Sequence, residues 1–325
     1  MMRQVLYALA PAAAAHSFFF GPGVWINLLI ACVTALLTEA LALRLRGRRT
    51  QLYLSDGSAL VSAALLALCL PPLLPWWITA AGAAFAVGVV KHLYGGLGLN
   101  LFNPAMGGYV ALLLVFPAEM TFWVPPHIGD LDYQAPTLLQ TLAYAATGQL
   151  PAGLTVDAVT RATPLDVVKT ELGMMRTLRE ITVNPVFGDF GGRGWEWVGN
   201  FVTLGGFWLL LRGIIRWQIP VAMLGTMLAG SLLLYLADPE THLSPLFQLY
   251  AGGTLLGAFF IATDPVSSCV TDRGRLIYGA GCGLLTLAIR NWSSYPDGVA
   301  FAVLIMNALA PLIDRWTRPR VYGTT

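Results

Sequence analysis

The stretch "TVDAVTRATPLDVVKT", residues 155–170, gathers Asp157, Thr160, Ala162 and Thr163 in a polar interval of a chain that is otherwise almost continuously apolar. Its reactive groups are threonine hydroxyls. An alcohol is a poor nucleophile until a base takes its proton, and no neighbour in the sequence stands out as that base. The chemistry open to Thr163 is therefore acceptance of a group delivered by an external enzyme. The same residues also read as plain structure. Thr163, then Pro164, then Asp166 is how a helix starts, with a cap, a proline in the first turn and an acid near the positive end. "PLDVVKTELGMMRTL" continues as that helix.

A second set of chemically able residues, Glu39, Asp56, Lys91, Asp264 and Asp297, stands in or beside apolar runs. Ionisable groups at membrane depth are costly and often mark an ion or electron-coupled path. The plainer reading, helix-end caps and ion pairs, is favoured, because Asp56 precedes "GSAL" and Asp264 precedes Pro265. Cys32, Cys69, Cys269 and Cys282 show no C-x-x-C spacing for zinc or an iron–sulfur cluster and read as small hydrophobes. No metal site and no nucleic-acid partner is expected.

The elements that must position these groups are membrane helices. Of 325 residues, 56% are hydrophobic and 11% charged, whereas soluble domains carry about a quarter charged residues. Continuous runs such as "VWINLLIACVTALLTEALAL" suit helices crossing the bilayer and exclude a barrel of short alternating strands. Residues 1–20, with Arg3, an apolar middle and "AAAA", could pass for a secretory signal. They read better as a first membrane helix containing Pro11.

Ten segments are predicted, near 3–20, 23–44, 57–74, 76–93, 99–117, 197–214, 219–236, 245–263, 275–291 and 298–314. With the N-terminus cytoplasmic, one side collects Arg3, Arg44, Arg46, Arg48, Arg49, Lys91, Arg212, Arg216, Arg273, Arg275, Arg315, Arg318 and Arg320, thirteen of the nineteen basic residues. That asymmetry places both termini in the cytoplasm and residues 118–196 in the periplasm. The 118–196 interval, with nine of the seventeen acids, is either an ordered subdomain or a mobile loop. The chain thus divides into a membrane repeat at 1–117, the extracytoplasmic segment at 118–196, a second repeat at 197–314 and a tail at 315–325. Five segments per half is odd, so the halves would be inverted relative to each other. "LSDGSALVSAALLALCLPP" compares with "LYAGGTLLGAFFIATDPVSS", and "LNLFNPAMGGYVALLL" with "SSYPDGVAFAVLIM". Each carries Gly and a Pro or acid that would break a helix near a cavity.

"DAVTRAT" follows the pattern Asp-x-x-Ser/Thr-Gly-Ala-Thr. Together with "KHLYGGLGLNLFNPAMGGYVALLL", "ATDPVSS", "GRLIYGAGCGLLTLAIR" and "YPDGVAFAVLIMNALAPLID", it resembles the RnfD proteins of the Rnf electron-transport complex and their membrane relatives in the sodium-translocating NADH:quinone reductase. Arg161 stands where that pattern has glycine. The resemblance implies an all-α, ten-helix inner-membrane protein of two inverted five-helix repeats, similar to the urea-transporter fold. It implies FMN, taken from FAD by a flavin transferase and esterified to Thr163, with Asp157, Thr160 and Ala162 as recognition residues. It further implies a noncovalent riboflavin near the cytoplasmic side, and partners in the other Rnf proteins, RnfA, RnfB, RnfC, RnfE and RnfG. The complex would couple ferredoxin and NAD oxidoreduction to Na+ or H+ movement, and this chain would not turn over alone. A solute channel or transporter of the same architecture is the rival reading, and a purely structural anchor a third. "YGGLGLN" lacks the strand that a dinucleotide loop requires.

Overall fold

The computed structural model describes residues 1–48, 50–127, 136–150 and 159–318. Asp157 and most of the 315–325 tail lie outside the described residues.

The first part of the chain holds α1 (Met2–Phe20), α2 (Gly23–Leu45), a short α3 (Thr50–Leu54), α4 (Ser58–Cys69), α5 (Trp76–Phe85) and α6 (Pro104–Val115). A π-helical turn, Ala86–Lys91, extends α5. Three helices outside this bundle follow: α7 (Leu138–Thr147), α8 (Pro164–Gly173) and α9 (Leu178–Ile181). The last part holds α10 (Trp195–Leu211), α11 (Gln218–Ala237), α12 (Pro245–Tyr250), α13 (Thr254–Leu256), α14 (Asp272–Trp292) and α15 (Val299–Thr317). A second π-helical turn, Gly257–Ile261, follows α13. Among the described residues, β pairing is limited to two isolated bridges. The fold is all-helical.

Three of these helices, Gly23–Leu45, Gln218–Ala237 and Val299–Thr317, are long and apolar enough to cross a membrane, and shorter apolar helices accompany them. The protein is a membrane protein. In α2 the inward stripe is Asn27, Ala31, Ala35, Glu39 and Leu43, all buried, whereas Leu29, Leu37 and Leu41 are exposed. Ala31 and Ala35 in that stripe let neighbours approach, and the exposed leucines face what would be lipid.

Two predicted segments are not single full-length helices. The one expected at 57–74 stops at Cys69, because Pro71 and Pro72 cannot continue it. At 12 residues it spans roughly 18 Å, less than a hydrocarbon core. The one expected at 245–263 is split at Ala251–Gly253, where Gly252 takes φ +61. The fifth begins at Pro104, behind the Asn103 cap, rather than at residue 99. Each break falls at a Gly or Pro picked out in the sequence.

The bundle closes through matched contacts: α1 packs on α10, α2 on α4 and α5, α11 on α12 and α14, and α6 on α15. The α1–α10 crossing depends on Gly205, where a Cβ would run into the Ala8 carbonyl oxygen. Gly205→Ala is expected to cost about 1–3 kcal/mol through overpacking, and Gly225→Ala, where a Cβ meets open space, to gain a few tenths or more from helix propensity. Melting of the two variants in detergent, compared with the unaltered chain, checks this.

The interval 118–196 is ordered where described. Leu165, Val168, Leu178, Ile181 and Phe187 form a small core with Leu243, Phe247 and Ala251. It is seated on the α11–α13 region.

Candidate functional site

Thr163 is the N-cap of α8. Its Oγ1 accepts from the Asp166 N–H at 3.2 Å, while Asp166 Oδ2 accepts from the Thr163 N–H at 3.2 Å and from the Thr163 hydroxyl at 2.5 Å. The capping role expected from the sequence is therefore present. No base stands out beside Thr163 in the sequence, but in the fold the Asp166 carboxylate accepts the hydroxyl's hydrogen bond and so stands where a base would. The Thr-x-x-Asp spacing carries that signal, but in sequence it is indistinguishable from a simple cap. Burial raises the Asp166 carboxyl from its ordinary value, the two Thr163 bonds pull it back in part, and Asp297 adds to the rise.

The motif is strapped down on both sides. Upstream, the Arg161 N–H donates to the Trp123 carbonyl at 2.8 Å in an antiparallel bridge. The Arg161 side chain is exposed, and its backbone is outside the positive-φ region, so the position needs no glycine to take up this conformation. Downstream, Lys169 donates to the carbonyls of Arg290 and Tyr295, each at 2.9 Å. That ties α8 to the end of α14; burial lowers the Lys169 ammonium pKa. Thr160 is half-buried and Ala162 exposed.

Of the described motif residues, Thr163 alone lines a cavity of about 410 Å³ between the two parts of the bundle, inside the roughly 300–1,000 Å³ range of small-molecule sites. Its walls include Tyr109, Trp123, Trp195, Tyr250 and Tyr295. Trp123 and Trp195 meet edge to face with centroids 4.9 Å apart, and Phe20 lies 4.3 Å from Trp195. His16, on α1, faces the same space. Such walls suit a planar aromatic ligand. Neither His16 nor this aromatic wall stands out in the sequence, because Trp123 and Trp195 are far along the chain from His16 and from each other.

A smaller cavity, about 70 Å³, opens toward the other face, beside Met1, Ser58, Lys91, Asn100 and Asp264. Between the two cavities stand Met106, Phe260 and Ile261, all buried. Asn103 and Asn307 also lie there: the Asn103 N–H donates to Asn307 Oδ1 at 2.9 Å, and Asn307 Nδ2 donates to the Ser267 carbonyl and the Tyr278 hydroxyl.

The charged residues flagged in the sequence resolve mostly into pairs and caps. Lys91 Nζ donates to Glu39 at 2.6 Å and to the Ser58 hydroxyl at 2.7 Å, with both charges buried. Asp56 accepts from the Ser58 N–H and hydroxyl, and Asp264 from the Ser267 hydroxyl. Arg290 binds Asp297 at 2.9 Å, the Thr254 hydroxyl at 2.8 Å and the carbonyls of Gln248 and Ala251. All four cysteines are free thiols, and among the described residues no His/Cys/Asp/Glu cluster could hold a metal.

Fold and site define a multi-helix membrane protein with an aromatic-walled cavity that meets a capped helix start in its largest inter-helix segment. The chain belongs to the NQR2, RnfD, RnfE family, whose model matches residues 1–323. It is similar to the D-type subunit of the ion-translocating oxidoreductase complex of Aliivibrio salmonicida, 48% identical over 329 residues that cover 99% of this chain and 93% of that protein. The protein of the same description from Aeromonas hydrophila is 49% identical over 328 residues, covering 99% and 94%. That from Escherichia coli is 46% identical over 331 residues, covering 99% and 94%.

Proposed function

We propose that this chain is the flavin-carrying membrane subunit of an Rnf-type ion-translocating ferredoxin:NAD+ oxidoreductase complex, with FMN esterified to Thr163 and electron relay coupled to Na+ or H+ movement. The observation that carries this reading is the Thr163 hydroxyl, which sits at a helix start and on the wall of an aromatic cavity of ligand size. A phosphoester on that oxygen meets the α8 N–H groups and the positive end of its dipole. When bound, FMN supplies reversible electron acceptance. The chain's own residues hold it: Thr163 by the phosphate, Trp123 and Trp195 as stacking faces, and buried Met106 and Ile261 closing the far end. A noncovalent riboflavin near the cytoplasmic side belongs to the same reading, but the cavity beside Lys91, at about 70 Å³, is too small to be its site.

Attachment joins Thr163 Oγ1 to the FMN phosphorus of FAD, breaks the pyrophosphate bond and releases AMP. The hydroxyl proton passes to Asp166, which already accepts its hydrogen bond. Deprotonated Asp166 is the active form, so the attachment rate should climb as pH rises through its upward-shifted pKa. Asp166→Asn keeps an oxygen to receive the hydroxyl and removes the basicity. That variant is expected to slow attachment about a hundredfold and to lose this limb of the pH profile. Time courses of flavin incorporation with purified transferase would show it, and an unchanged rate and profile would remove Asp166 from the step.

The matched contacts support ten crossings in two inverted halves, 1–117 and 197–314. The first helices, α1 and α10, pack together, as do the last, α6 and α15. Lys91 on Ser58 and Arg290 on Thr254 are equivalent cation–hydroxyl contacts at opposite faces. In this arrangement the basic residues put both termini in the cytoplasm and 118–196 in the periplasm. A passive channel is disfavoured by the buried Met106–Ile261 septum and gives no use to the motif. Expressing the chain with and without the transferase, denaturing it and looking for flavin fluorescence in the gel band tests the reading. A dark band from the native complex would favour the channel or the anchor.

A further inference from the structure

His16 is 1% exposed, and neither ring nitrogen has a hydrogen-bond partner among the described residues. It does not merely sit in packing: it lines the 410 Å³ cavity that Thr163 also lines. Its ring lies among aromatic faces, with centroids 5.2 Å from Phe20, 5.7 Å from Trp195 and 6.4 Å from Trp123. A buried imidazole normally satisfies at least one nitrogen, so two idle nitrogens aimed into a cavity ask for a polar partner that enters it. The walls around it ask for a flat one.

We infer that His16 is the hydrogen-bond partner of the polar edge of the ring system held in this cavity, and that it positions the ring and sets its reduction potential. This rests on the flavin reading above. The phosphate end is tethered at Thr163, and an isoalloxazine has only one strongly hydrogen-bonding edge, the pyrimidine side with its two carbonyls and ring nitrogens. The dimethylbenzene edge is apolar and suits Leu113, Val198 and Leu255 elsewhere in the wall. A ring stacked against Trp123 or Trp195 can turn its carbonyl edge to His16. A neutral imidazole donates one N–H there. Electron entry puts negative charge on that edge, and a hydrogen bond to a charged acceptor is stronger than one to a neutral acceptor. His16 therefore favours the reduced ring over the oxidised one. No covalent change at His16 is involved.

The test uses the full chain, matured with the transferase, as the native protein and as His16→Leu and His16→Gln. Peptide mass first establishes that Thr163 carries flavin in each. Spectroelectrochemical titration then reads the midpoint potential. His16→Leu should keep the tether and lower the reduced-to-oxidised ratio at fixed potential about tenfold, which is about 30 mV for a two-electron couple. His16→Gln, which keeps an N–H donor, should recover most of that shift. A second reading covers a leucine variant that fails to fold: the reduced-minus-oxidised infrared spectrum of the native protein should contain imidazole bands that disappear in His16→Gln. Native potential in His16→Leu, or a difference spectrum without those bands, overturns the assignment. A native protein with bare Thr163 overturns the flavin reading instead, and the mass shows that before any potential is measured.

Discussion

Thr163→Val is expected to abolish covalent flavin completely while leaving the protein in the membrane. Valine matches threonine in shape and lacks the oxygen, so no phosphoester can form. The structural loss is one cap: Thr163 Oγ1 would no longer receive the Asp166 N–H or donate to its carboxylate. Losing such a cap costs about 0.5–2 kcal/mol, confined to a helix whose buried Leu165 and Val168 still pack on Phe247 and Ala251. Thr163→Ser retains both cap and nucleophile and should still label. In-gel fluorescence with an immunoblot for chain abundance separates the effects. A fluorescent band from Thr163→Val would mean that another side chain carries the group.

Lys91→Met should destabilise the protein more than loss of the Thr163 cap or the Gly205 crossing does. The Lys91 ammonium touches Glu39 at 2.6 Å and Ser58 at 2.7 Å, and both charges are out of solvent, at 1% and 2% exposure. Removing one member of a buried pair costs about 3–5 kcal/mol, and here it leaves the Glu39 carboxylate with His92 Nε2, 3.5 Å away, as its remaining ion-pair partner. Adding Glu39→Gln to Lys91→Met should return a large part of that, since the stranded carboxylate is then gone. Thermal unfolding in detergent of both singles and the double completes the cycle. A double variant no more stable than Lys91→Met would show that the two charges are not coupled.

What is legible in the sequence depends on the range of each interaction. Local signals are readable. Pro71 and Pro72 end α4, Asn103 and Pro104 begin α6, and Thr163 caps α8, each through contacts within a few residues. Apolar runs locate the helices, although hydropathy alone does not say that the run at 245–263 breaks at Gly252. Asp166 is visible, yet the base role proposed for it needs the 2.5 Å distance to the hydroxyl. Long-range pairs are out of reach. Glu39 and Lys91 are 52 residues apart, and Asn103 and Asn307 are 204 apart. His16 looks like any residue of an apolar helix until Trp123 and Trp195 are brought to it.

Trypsin offers the most direct test of the central claim. Cleavage after Arg161 and Lys169 releases Ala162–Lys169, in which Thr163 is the single hydroxyl-bearing side chain. Mass spectrometry of that peptide, from chain purified within its working complex, should find it carrying FMN through a phosphoester. Finding it unmodified in the same material would contradict the account.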